Sequence, residues 1–173
     1  MSDFFEKVSG QVDPFKKLVA IIPGFKGYVE RQNRRDADKL LRDTVARRFE
    51  EQWKRASNLQ ADLVSSGMIE YVDDLEKAAI KLRTFIDKIS TAPRGYSGLF
   101  DAVKINEQEL EALYQFDATF FDLADQVSRA LDTVEASLAD AEALPAAIRN
   151  VTSLSRQAVD TYNKRTEAFT GSK

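Results

Sequence analysis

Apolar positions along this chain recur at spacings of three and four residues, the period of an α-helix that buries one face. The cleanest run is Met68, Val72, Leu75, Ala79, Leu82, Ile86 and Ile89, a heptad seam without a break. A longer run passes through Leu110, Leu113, Asp117, Phe120, Ala124, Val127, Leu131, Val134, Leu138 and Ala141, and Asp117 is its one polar position. Tyr114, Phe116, Phe121 and Leu123 widen that stripe, as a helix with two or three neighbours requires. Between Tyr28 and Ser66 a less regular stripe of Leu41, Val45, Phe49, Trp53, Ala56, Leu59 and Leu63 predicts a third helix, stopped at Ser66-Gly67. Ile148, Val151, Ala158, Tyr162 and Phe169 predict a last one, with Pro145 in its first turn. Asn106 with Glu109 reads as a capping box, and Asp13-Pro14 opens a short helix that ends at Pro23.

The predicted fold is therefore all-α: an elongated antiparallel up-down-up-down bundle of four main helices, with a short N-terminal helix capping one end. One domain covers residues 1–173: an amphipathic segment and loop at 1–27, main helices at 28–66, 68–90, 107–142 and 146–169, and a frayed tail at 170–173. At about 1.5 Å per residue two of these helices span roughly 55 Å and two roughly 35 Å, so long is expected to pair with long. One end of the long pair is then left over, to be covered by residues 3–22 and the loop 92–105. The turn near residue 143 has no glycine, so a single kinked helix over 107–169 stands as the alternative to a hairpin.

Charge adds a pairing. Residues 28–55 hold nine Lys or Arg against six Asp or Glu, whereas residues 101–142 hold two against eleven. Complementary fields favour adjacency of these two long helices, although exposed pairs contribute only about 0 to 1 kcal/mol each. The basic run Arg31, Arg34, Arg35, Lys39, Arg42, Arg47 and Arg48 is interleaved with Glu30, Asp36, Asp38 and Asp43, and the net charge is -3. That pattern reads as a solvated, internally paired face, and nucleic acid is not an expected partner.

Candidate chemistry is sparse. The chain has no histidine and no cysteine, which removes the commonest general base, the commonest metal ligands and the Ser-His and Cys-His pairs. The Glu-x-x-His motif of di-metal bundles and the Gly-rich phosphate loops are missing too. No catalytic residue, cofactor or metal is expected: the carboxylates Asp122, Asp125, Asp132, Glu135, Asp140 and Glu142 are strung along one helix rather than gathered in a loop. Asp117 has two readings, a carboxylate in a buried site or a register-setting residue paired with an Arg or Lys across the bundle, and the second is the expected one. No run is apolar for long enough to span a bilayer, and Met1 to Glu6 lacks the basic start of a secretory signal; a cytoplasmic location is the expectation.

The most distinctive surface feature is a gathering of aromatic and basic residues in the N-terminal segment and two glycine-containing loops: Phe4, Phe5, Phe15, Phe25, Lys26, Tyr28, Arg94, Tyr96 and Phe100. These residues are expected to cap the open end of the bundle and to mark its interaction end. The functional expectation is a non-enzymatic scaffold or adaptor that binds a protein partner or another copy of itself. The alternative is a protein peripheral to a membrane, attached through the amphipathic N-terminal segment.

Overall fold

A computed structural model describes residues 13–30, 34–91 and 107–170, with the side chains of 34–35, 107–110 and 168–170 left out of the description. Among the described residues there are six α-helices and no strand: α1 Pro14–Ile21, α2 Phe25–Glu30, α3 Arg34–Ser65, α4 Val72–Thr91, α5 Glu107–Ala136 and α6 Leu144–Thr170. A 3-10 turn, Ile69–Tyr71, leads into α4.

The last four helices form the bundle. Phe49 meets Phe85 and Gln60 meets Glu76, so α3 and α4 are antiparallel. Arg165 meets Asp117, so α5 and α6 are antiparallel as well, and residues 107–170 form a hairpin rather than one kinked helix. Between the two hairpins, Arg48 pairs with Asp125 and Arg55 with Asp132, which makes α3 and α5 parallel neighbours. The other pair of parallel neighbours is α4 with α6, joined where Phe85 and Tyr162 meet edge to face. Direction thus alternates up, down, up, down, and α4 and α5 stand at diagonally opposite corners of the bundle. The basic and acidic long helices lie side by side, as their charges predict.

Both tight ends have a local cause. Gly67 sits at φ +80°, its N–H donates to Val64 O and the Met68 N–H donates to Leu63 O, the paired bonds of a Schellman stop. At the second turn Asp140 accepts from the N–H groups of Glu142 and Ala143 through its carboxylate and so caps the entry to α6, while α5 ends at Ala136 rather than at residue 142. Leu138 and Ala141, read as seam positions, therefore lie in the turn, and α6 starts at Leu144 with Pro145 as its second residue.

The core is continuous from end to end. Its centre is a stack in which the Phe85 ring lies 4.3 Å from Phe49, 5.2 Å from Phe120 and 6.4 Å from Tyr162, centroid to centroid, so four helices meet at one residue. On α3 the seam passes through Gln52 rather than Trp53. The three-four alternation from Phe49 to Ala56 selects position 52, and the indole sits half-buried at the rim beneath the guanidinium of Arg83. Hydroxyls inside the seams are satisfied by their own helices: Thr44 donates to Leu40 O and Ser155 to Val151 O.

The four main helices are not two long and two short: α3, α5 and α6 have 32, 30 and 27 residues, and α4 alone is shorter, at 20. The register set by Phe49–Phe85 and Gln60–Glu76 brings Thr91 alongside the stretch from Asp43 to Val45. Below that level α3, α5 and α6 continue without α4.

Candidate functional site

At this three-helix end of the bundle, two constructions use the residues singled out in the sequence. The first is the N-terminal pair of helices. Asp13 caps α1 by accepting the Phe15 N–H, Pro14 occupies the first turn, and Gly24 at φ +82° turns the chain into α2. α1 packs on α5 and α2 packs on α3, so together they seal the seam between those parallel neighbours. Leu18, Ile22 and Phe25 are buried, and the rings of Phe15, Phe25 and Tyr114 meet with centroids 5.6 to 6.0 Å apart. Lys17 pairs with Asp122 on the outside of this contact.

This placement changes the reading of the aromatic end. Phe25 is 1% exposed and cannot meet a partner: its ring fills the α3–α5 seam. Phe15 and Tyr28 are half-buried against the same core. Lys26 is exposed and reaches Glu30 one turn on. Phe4, Phe5, Arg94, Tyr96 and Phe100 lie outside the described residues, as does the Asn106 half of the capping box.

The second construction is a cluster of four charges, two of them buried and two partly buried. Asp117 and Arg165 are 2% and 3% exposed. Arg165 donates from Nε to Asp117 Oδ1 at 2.8 Å and from a terminal nitrogen to Oδ2 at 3.4 Å, a two-pronged pair. The same terminal nitrogen lies 3.7 Å from Asp38 Oδ1, and Asp38 Oδ2 is 3.0 Å from Arg42 Nε. Two carboxylates and two guanidiniums balance, and Arg165 thereby ties α6 to α5 and also, across the diagonal, to α3. Burial pushes the Asp117 carboxyl up to about 6, because removal from water outweighs the pull of Arg165. Sequence reasoning marked Asp117 by its break in the seam. Arg165 gave no comparable signal, since one arginine on a helix of mixed polarity is ordinarily solvated.

Elsewhere the surface offers less enclosure. A shallow cleft of about 240 Å³ between α5 and α6 is lined by Gln126, Arg129, Ala130, Thr133, Asn150 and Leu154, but the Thr133 hydroxyl donates to Arg129 O in its own helix. Among the described residues no group of three or more carboxylates converges on a point where a metal ion could sit, and no helix is long and apolar enough to cross a membrane. At the opposite end of the bundle, the α3–α4 hairpin carries Val64, Ile69 and Ile80 with 53%, 64% and 54% of their surface exposed. The sequence assigned none of these three to a site, because each continues an apolar-rich helical pattern and their exposure depends on which neighbour each helix turns toward. Compared with known proteins, the chain matches no family, no curated protein and no solved structure.

Proposed function

We propose that this chain is a non-enzymatic helical scaffold or adaptor that works by binding another protein. The observation that carries the reading is the location of the exposed aliphatic surface: Val64, Ile69 and Ile80, the large apolar side chains more than half exposed among the described residues, all belong to the α3–α4 hairpin. Exposed apolar groups on one hairpin support an interaction face there. The bundle behind them supplies rigidity through a continuous core and ion pairs between α3 and α5.

The membrane alternative has less support over residues 14–28, because Leu18, Ile22 and Phe25 face the core rather than outward. Chemical cross-linking of the full chain in extract of its source cell, together with sedimentation across a hundredfold range of concentration, tests the scaffold reading. A discrete cross-linked polypeptide or a concentration-dependent dimer is expected. A strict monomer that cross-links to nothing and co-sediments with vesicles would overturn the reading in favour of the alternative.

A further inference from the structure

The exposed aliphatics of the α3–α4 hairpin are not scattered. Ile69 sits in the 3-10 turn that leads into α4, and Asp73, Glu76 and Ile80 follow on α4 itself, three and four residues apart on one face. All four are exposed. Gln60 of α3 donates to Glu76, which brings the outer face of α3 against this stripe, and Val64 stands one turn beyond Gln60. The result is an exposed strip with aliphatic groups at both ends, Ile69 in the 3-10 turn and Ile80 on α4, and the acids Asp73 and Glu76 between them.

Charge decides what fits. Residues 60–80 contain Asp62, Glu70, Asp73, Asp74 and Glu76 against one cation, Lys77, and Asp74 already holds Lys77 at 2.8 Å. A second copy docked through the same strip about a two-fold axis would set Asp73 and Glu76 against their own images, which like-charge repulsion disfavours. The cations Arg42, Arg48 and Arg55 of α3 are engaged within the chain. We infer that the face formed by Ile69 of the 3-10 turn and Asp73, Glu76 and Ile80 of α4, with Val64 beside it, docks an amphipathic helix of a different protein, one with aliphatic residues flanked by lysine or arginine. This rests on the scaffold reading and names the face and the chemistry of its partner. Aliphatic anchors at the two ends supply the apolar contact, and the acids set register and speed encounter with a basic segment.

The test uses the full chain and a fluorescein-labelled 18-residue helical peptide with leucine on one face and lysine on the other, read by fluorescence polarisation. Two comparison peptides carry serine for the leucines or glutamate for the lysines. Ile69→Ser with Ile80→Ser is expected to weaken binding about tenfold or more, since two half-exposed side chains lose their burial on docking. Asp73→Lys with Glu76→Lys is expected to do the same. Asp160→Lys with Glu167→Lys, an equal change of charge at exposed positions on α6, is expected to have a much smaller effect. All six positions are exposed, so the fold is retained, which far-UV circular dichroism verifies. If the serine pair leaves affinity unchanged, or both lysine pairs weaken it equally, the strip is only a solvated acidic face and the inference is overturned. Should that happen while the cross-linked polypeptide persists on the Ile69→Ser, Ile80→Ser chain, the strip is wrong and the scaffold reading stands; if the native chain cross-links to nothing either, both fail.

Discussion

Replacing Asp117 by leucine tests whether the charge cluster is an interlocking device. Asp117→Leu leaves the Arg165 guanidinium 3% exposed with its two-pronged partner gone and Asp38 at 3.7 Å as the nearest remaining carboxylate. Breaking a buried pair from one side costs about 3 to 5 kcal/mol. Because Asp38 still compensates in part, the lower figure applies, roughly 3 kcal/mol, or a fall in Tm of roughly 6 to 12 °C for a chain of this size. Arg165→Met strands a carboxyl that is already inclined to hold a proton, so its cost is smaller, about 2 kcal/mol. The double variant removes both charges and leaves Asp38 with Arg42 at 3.0 Å, and is expected within about 1 kcal/mol of the native chain or above it. Urea unfolding followed at 222 nm measures all four corners of the cycle, provided the slopes agree. A coupling of roughly 4 kcal/mol is the expected result. Additive single effects, or an Asp117→Leu chain as stable as the native one, would refute the interlock.

The same carboxyl sets a pH dependence. In the fold it titrates at about 6 and in the unfolded chain near its ordinary value, so between those points the fold binds a proton that the unfolded chain has released. Its contribution is therefore greatest at low pH and is lost as pH rises through about 6: relative to Asp117→Asn, the native chain should lose up to roughly 3 kcal/mol of stability between pH 4 and 7. Urea midpoints across that range check it, and a native chain that gains stability relative to Asp117→Asn as pH rises contradicts the assignment. At the α1 contact, Leu18→Ala should cost about 2 to 5 kcal/mol, whereas Lys17→Ala should cost under about 1 kcal/mol because its ion pair is exposed; equal effects in thermal melts would mean that α1 is not part of the core. Gly67→Ala meets no neighbouring atom but forces a side chain into φ +80°, so a loss of about 1 to 2 kcal/mol is expected from the same melts, and no loss would show that the stop motif relaxes.

By itself the sequence determined the helical class, the turn at Ser66-Gly67 and the adjacency of the basic and acidic long helices, because each depends on local spacing or on charge summed over many residues, whereas the glycine-free turn near residue 143 left a hairpin and a kinked helix both open. Asp117 was legible as well, since a carboxylate inside a regular seam must find a partner or remain in water. Tertiary structure alone decided which partner. Arg165 and Asp38 become neighbours because α3 and α5 pack side by side and α6, against α5, lies across the bundle from α3, which the spacing along any one helix does not record. The same arrangement made Phe85, absent from the regular seam, the residue where four helices meet. Periodicity records that a residue is apolar and on a given face, but whether that face meets a neighbour or water is fixed by how the helices are arranged around one another. Phe25 and Ile80 look equally apolar along the chain, and only their neighbours make one a core residue and the other a surface.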